Sequence, residues 1–449
     1  MYNTSMSQKL SFRVSYLLRM KSEFLYEITI PTLSLVQKQP QRRKHRSRSK
    51  PIILRAPKTG IMSDNDHVLQ ELLETIAAEH GYKNCDMKLQ SYSTEGANYT
   101  SQLYNVSLTA PGKDDLKLFA KVASVNEEVR LQSPFNMFET EMFFYTSLLK
   151  QYQELEEKHK VPEEHRLATV KFYGCKKEFL KEILVFEDVT SKGFGTFQRH
   201  QLIDWEYAST AIRELAKFHA LSIALHQQKP LEFEDITKKF TLDRKKLEGM
   251  KPMMDAATKM LLEIVKEENK DRVKAFMDKA QDFPVDHFNR PMHQPVIAHG
   301  DFRTSNFMHR VQGDGKLELV VLDYQILNVS NSVIDLMYFI FSGSDEEFRG
   351  KHYHQLLDYY HAELSASLDR LGVDSLTTYP KKDFDSDVKE IEPYGLIVSM
   401  MTVPLMTVSA EDAPSLESGS FGDILVRPGT VAVERINGIV NDYIKLGVL

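Results

Sequence analysis

The chain has 449 residues, more than one hydrophobic core usually serves, and 42% of them are apolar, enough to fill two lobes. Its net charge of −6 divides unevenly: residues 1–61 hold 13 Lys/Arg and 2 Asp/Glu (+11), leaving 44 Lys/Arg and 61 Asp/Glu (−17) in the rest. An acidic body argues against nucleic acid as a partner, and only two cysteines, Cys85 and Cys175, argue against a disulfide-stapled scaffold and fit a reducing, cytoplasmic location.

Residues 1–61 lack sustained periodicity, and their basic run Gln41–Lys50 reads as an unstructured or artefactual upstream extension rather than a targeting address. Ordered structure is expected from residue 62. Ser63, Asp64, Asn65 and Asp66 are capping residues ahead of Val68, Leu69, Leu72, Leu73 and Ile76, which share one helical face, and Gly81 is the stop. Three β-rich runs follow, 87–92, 102–108 and 116–122, separated by turn residues. Phe138, Met142, Tyr145 and Leu149 then recur at helical spacing within 135–153, and 169–173 and 183–186 read as two further strands. Three strands, a helix and two strands make an antiparallel α+β lobe over residues 62–188.

From residue 189 the pattern is helical: a helix over 204–226 with Trp205, Ala208, Ile212, Leu215, Phe218 and Ile223 on its buried side, then a charged helical stretch over 251–282. A hairpin is expected where 307–311 and 317–322 flank Gly313-Asp314-Gly315, and helices resume near Val333, His352, Phe384 and Val431. The longest uncharged stretch, 393–410, contains Ser399, Thr402, Pro404, Thr407 and Ser409, and so reads as a buried helix and loop rather than a membrane span.

The chemistry concentrates in Val296-Ile297-Ala298-His299-Gly300-Asp301, with Asn306 five residues on and Asp323 closing the apolar run 319–322. Phosphoryl transfer needs a carboxylate at the acceptor hydroxyl and oxygen donors for Mg²⁺, held on rigid backbone; Asp301 fits the first role, Asn306 and Asp323 the second. His299 and Asp335 read as braces of the loop. Lys121, between apolar neighbours on a strand, is the candidate to neutralise ATP phosphates, with Glu141 or Glu139 as its carboxylate partner. Gly96–Ser101, between the first two strands, stands where a phosphate-covering loop belongs, with Asn98 and Ser101 as its polar candidates, although it matches neither glycine-rich pattern. Glu187 and Asp188 close the last strand of the first lobe and read as the connector beside the nucleotide. The other histidines, including His352, His354 and His361, lack a metal-binding spacing.

With these residues in view, the chain resembles the ecdysteroid-kinase-like proteins of insects, a branch of the protein-kinase-like superfamily near the choline kinases and aminoglycoside phosphotransferases. The resemblance rests on Gly96–Ser101, Phe119–Val122, Phe138–Tyr145 with Glu141, Leu184–Val189 with Gly193-Phe194, Leu215–Ala220, His299-Gly300-Asp301 with Asn306, Leu322–Gln325 and Ile334–Leu336. It implies a bilobal kinase fold, ATP with Mg²⁺, and phosphorylation of a hydroxyl on a small molecule, the named family substrate being an ecdysteroid. It places the base on Asp301, metal ligands on Asn306 and Asp323, and the phosphate-binding lysine on Lys121. Tyr324, where such proteins often have Phe, and Arg303-Thr304-Ser305 are departures that bear on acceptor choice. A protein kinase fits less well, because Gly300 replaces the arginine of H-R-D and no A-P-E follows Asp323. The competing readings are a choline/ethanolamine-type kinase and a non-catalytic binder of a hydrophobic small molecule.

Overall fold

The computed structural model describes residues 64–92, 100–198, 201–240, 243–284, 286–409, 412–414 and 425–449. The basic segment 1–61 and Asn98 therefore lie outside the described residues. After a helix at Asp64–Glu79 come β1 (Asp86–Tyr92), β2 (Ser101–Thr109), β3 (Leu116–Ala123), β4 (Phe172–Lys176) and β5 (Ile183–Glu187), which form one antiparallel sheet in the order β1-β2-β3-β5-β4. β4 begins three residues later than its β-forming pattern suggests, and a bulge between Phe172 and Gly174 shifts its register on β5.

The two faces of this sheet have different partners. Leu118, Ala120 and Val122 of β3 join Val106, Leu108, Ile183 and Val185 in a cluster with Leu69, Leu73 and Ile76 of the first helix. Side chains alternate along a strand, so Lys121 must point to the opposite face. That face is covered by Met137–Phe143, a π-helical turn at Phe144–Leu148, and Leu149–Lys158. Phe138, Met142, Tyr145 and Leu149 are all buried there, and with Leu184 and Phe186 they belong to a core that continues into the helices beyond residue 189.

The rest of the chain is mainly helical, around Trp205–Gln228. Asp204 caps this helix by accepting the Tyr207 N–H at 2.8 Å. From Glu214 to Leu225 every residue is buried, so the helix is a central rod rather than a one-sided amphipathic element. The charged helical stretch over 251–282 comprises two helices, Lys251–Ile264 and Lys270–Ala280, separated by a short 3₁₀ turn. Asn437 stabilises the break: its Oδ1 accepts the Lys266 N–H and its Nδ2 donates to the Ile264 carbonyl, both at 2.9 Å. Helices at Val333–Gly343, Glu346–Arg370, Lys381–Ile391, Tyr394–Thr407 and Thr430–Lys445 complete this part. No described helix is long and apolar enough to cross a membrane.

Two small sheets interrupt the helices. β8 (Phe307–Val311) and β9 (Leu317–Val321) form the expected hairpin, joined on its edge by β6 (Gly195–Thr196); β7 (Val296–Ala298) pairs antiparallel with β10 (Asn328–Ser330). β10 carries little strand signal of its own, since three residues pair only because β7 is beside them. The segment between β7 and β8 is thus tied at both ends to sheets.

Candidate active site

The His299–Asp301 loop is held by a carboxylate from another element. Asp335, buried in the first turn of Val333–Gly343, accepts the Gly300 N–H on Oδ1 at 2.8 Å and the His299 N–H on Oδ2 at 2.7 Å. The same Oδ2 accepts from His219 Nε2 at 3.1 Å, and Tyr360 donates to His219 Nδ1 at 2.7 Å. His299 Nε2 donates to the Leu322 carbonyl at 3.0 Å, which leaves Nδ1 to accept the Asp301 N–H at 3.3 Å. His299 therefore binds the loop to the residue that precedes Asp323, as a brace. Gly300 lies at φ +80°, and a Cβ there would come within 2.4 Å of the Ile326 carbonyl oxygen, so only glycine fits this turn.

Asp301 is surrounded by donors. Tyr338 donates to Oδ1 at 2.6 Å, Arg303 Nε lies 2.9 Å from the same oxygen, and Asn306 Nδ2 donates to Oδ2 at 2.8 Å and to the Asp301 carbonyl at 2.9 Å. Burial alone would raise this carboxyl's pKa; the Arg303 charge and the Tyr338 and Asn306 hydrogen bonds outweigh it and hold the group below its usual range. Arg303 stands in the loop segment that sequence marked as a departure, without a role at Asp301, whereas Tyr338 has no local sequence signal. Tyr338 is found only by noticing that it lies three residues beyond Asp335 on the same helix.

Asn306 also fixes Asp323. The Leu322 N–H donates to the Asn306 carbonyl at 2.8 Å, so the residue just after β9 is bonded to the residue just before β8. Asp323 itself adopts φ +66°, a left-handed conformation that costs an L-residue roughly 1–3 kcal/mol and persists where its surroundings demand it. Its carboxylate pairs with Lys121, and Lys121 Nζ also donates to Glu141 at 2.7 Å. Glu141 is buried and Glu139 is exposed, which decides between the two acids that sequence left open.

This cluster joins two buried groups, Lys121 and Glu141, to the half-buried Asp323. Burial pushes Glu141 up to about 7, with Lys121 opposing and the Asp323 charge adding to the rise. Burial alone would lower the pKa of Lys121, but Asp323 and Glu141 together keep it above the usual value. Tyr324, next to Asp323, stacks on Phe144 at 3.6 Å between ring centres and is fully buried. Its departure from the family pattern therefore falls on core packing.

The remaining candidates lie at the edges of this region. Ser101 opens β2 opposite Ala123, two residues from Lys121 in the register, and Thr100 Oγ1 donates to Gln325 at 3.5 Å. Glu187 pairs with Lys192 at 2.7 Å, and Asp188 caps the next turn by accepting the Thr190 N–H at 2.9 Å. Both side chains are thus committed to the connector's own shape. Among the described residues no cluster of three or more His, Cys, Asp or Glu is placed to hold a metal. Asn306 and Asp323 offer one amide and one anionic oxygen, a hard donor pair that suits Mg²⁺ sharing its other sites with phosphate and water.

An antiparallel five-stranded sheet bearing a buried Lys–Glu pair, ahead of a helical part with a His-Gly-Asp loop, hairpin and second aspartate, defines a kinase-like phosphotransferase fold. A profile of the ecdysteroid kinase-like family matches residues 95–373, and the chain belongs to that family. No curated protein sequence matches it. Among solved structures it is similar to a mutant aminoglycoside 2'-phosphotransferase-IIIa in complex with GDP (10% identity, 75% of this chain and 89% of that one, TM-score 0.37). It is also similar to glucosamine kinase in complex with glucosamine, ADP and inorganic phosphate (12% identity, 86% and 89%, TM-score 0.34). A third is aminoglycoside phosphotransferase APH(3'')-Id from Streptomyces rimosus, with ADP and streptomycin (12% identity, 74% and 98%, TM-score 0.32).

Proposed function

We propose that the protein transfers the terminal phosphoryl group of ATP, with Mg²⁺, to a hydroxyl of a small molecule, an ecdysteroid or a related lipophilic or xenobiotic alcohol, in the cytoplasm. The observation that carries this reading is the convergence of Lys121, Glu141 and Asp323 in one ion cluster that is bonded, through Leu322 and Asn306, to Asp301. The acceptor class comes from the family; the cytoplasmic location rests on the two free cysteines.

In this reading Lys121 neutralises nucleotide phosphates and Glu141 fixes its position. Asn306 and Asp323 would hold Mg²⁺, which when bound neutralises charge on the phosphates. Lys121 and Asp323 pair with each other, so nucleotide binding exchanges part of that pair for phosphate and metal contacts. By sequence position Asn98 and Ser101, the latter at the start of β2, are the polar candidates to meet the phosphates, and backbone groups at Glu187-Asp188 meet the base.

Asp301 receives the acceptor hydroxyl. Its lowered pKa makes it a weak base, suited to orienting the hydroxyl and taking its proton late, as a loose phosphoryl-transfer transition state requires. The test is the full chain incubated with Mg²⁺, ATP and a panel of ecdysteroids, other steroid alcohols, plant glycosides and choline, read by product mass. A gain of one phosphoryl group on an alcohol, lost in Asp301→Asn, is the expected result. Phosphorylation of peptides and of no small acceptor would overturn the reading.

A further inference from the structure

Helix Val333–Gly343 presents two residues at i and i+3, Asp335 and Tyr338, and these lie on one face. Both grip the same loop, but at different levels. Asp335 takes the backbone N–H groups of His299 and Gly300; Tyr338 takes the side chain of Asp301. A carboxylate offers about four lone-pair sites. At Asp301, Tyr338 donates to Oδ1 beside the Arg303 charge and Asn306 donates to Oδ2, so the side chain is held at both oxygens and each keeps a lone pair for an incoming hydroxyl.

We propose that Tyr338 is a positioning residue of the phosphotransfer site: its hydroxyl fixes the Asp301 carboxylate in one rotamer, so that the lone pairs left open face the acceptor. The inference rests on the reading of Asp301 given above. Tyr338 is suited to the task because it is partly buried on a rigid helix whose first turn is fixed, the Asn331 Oδ1 accepting the N–H groups of Val333 and Ile334 at 3.1 Å each. Burial, with the Asp301 charge adding, raises the phenol's pKa well above the usual value, so it stays a donor over the whole working range. Removing its hydroxyl frees the carboxylate to rotate.

Slow hydrolysis of MgATP with water as acceptor provides the probe, measured on the full chain for wild type, Asp301→Asn and Tyr338→Phe between pH 5 and 8. Tyr338→Phe is expected to lower kcat about tenfold, equivalent to about 1.4 kcal/mol, while leaving KM for ATP and the denaturant midpoint unchanged. A purely structural tyrosine would shift the midpoint and would not lower kcat alone. A fluorinated tyrosine at position 338, which keeps the hydroxyl at nearly the same size, should retain wild-type kcat, and it serves if the phenylalanine variant unfolds. Turnover above Asp301→Asn with superimposable wild-type and Tyr338→Phe profiles overturns the role of Tyr338 and leaves the phosphotransferase reading intact. Wild-type turnover equal to that of Asp301→Asn overturns both.

Discussion

Replacing Asp335 tests whether the catalytic loop is held from outside. The fully buried carboxylate accepts three hydrogen bonds, from the backbone of His299 and Gly300 and from the ring of His219. Asp335→Ala leaves three donors without an acceptor where water has little access, and each such donor costs about 1–3 kcal/mol. The total, roughly 3–6 kcal/mol after partial relaxation, is a large share of the 5–15 kcal/mol typical of a folded domain. Asp335→Asn is milder. Its carbonyl can stay at the Oδ2 position, where two donors meet, so only the Gly300 N–H faces an amide N–H, at about 1–3 kcal/mol. Denaturant unfolding of wild type and both variants measures the differences, with MgATP turnover followed in parallel. The order Ala worse than Asn worse than wild type is expected, with turnover lost in both. An Asp335→Ala protein within about 1 kcal/mol of wild type would refute the argument, since the smallest single penalty is of that size.

Asp301→Asn should reduce phosphoryl transfer by about a hundredfold or more while leaving nucleotide affinity unchanged, because a general base contributes about 10²–10⁴-fold and Asp301 has no contact with Lys121; calorimetric titration of ADP beside product analysis separates the two. Gly300→Ala forces an L-residue to φ +80° with its Cβ against the Ile326 carbonyl, and should cost more than about 2 kcal/mol by denaturant midpoint; a neutral substitution would mean the turn can change shape. Glu141 keeps its proton in the folded state up to about pH 7, whereas the unfolded carboxyl releases it near 4.5. The folded state binds more protons in that window, so the stabilisation from this group is full below 4.5 and is lost as pH rises through 7. Glu141→Gln should flatten that part of the stability–pH curve, and an unchanged slope would show that the group titrates normally.

How much of the site was legible follows from how far each signal reaches along the chain. The carriers of chemistry sit in short contiguous patterns: His299-Gly300-Asp301 with Asn306, the apolar run ending at Asp323, and Lys121 amid apolar strand residues. Alternation along β3 already implies that Lys121 faces away from Leu118, Ala120 and Val122. What it pairs with did not follow, because Glu139 and Glu141 are equally near in sequence and only helix rotation buries one of them.

The amino-acid order by itself determined the elements, since helical and strand periodicity are local: the cap at Asp204, the spacing from Phe138 to Leu149, the glycine turn of the β8–β9 hairpin. Packing decided everything that joins distant segments. It divided 251–282 into two helices with Asn437 at the break, made a strand of Asn328–Ser330 by placing Val296–Ala298 beside it, and brought Tyr338 onto Asp301. The physical reason is that a hydrogen bond or ion pair between residues far apart in the chain leaves no periodic trace in either segment; it exists only once burial has set both elements in place.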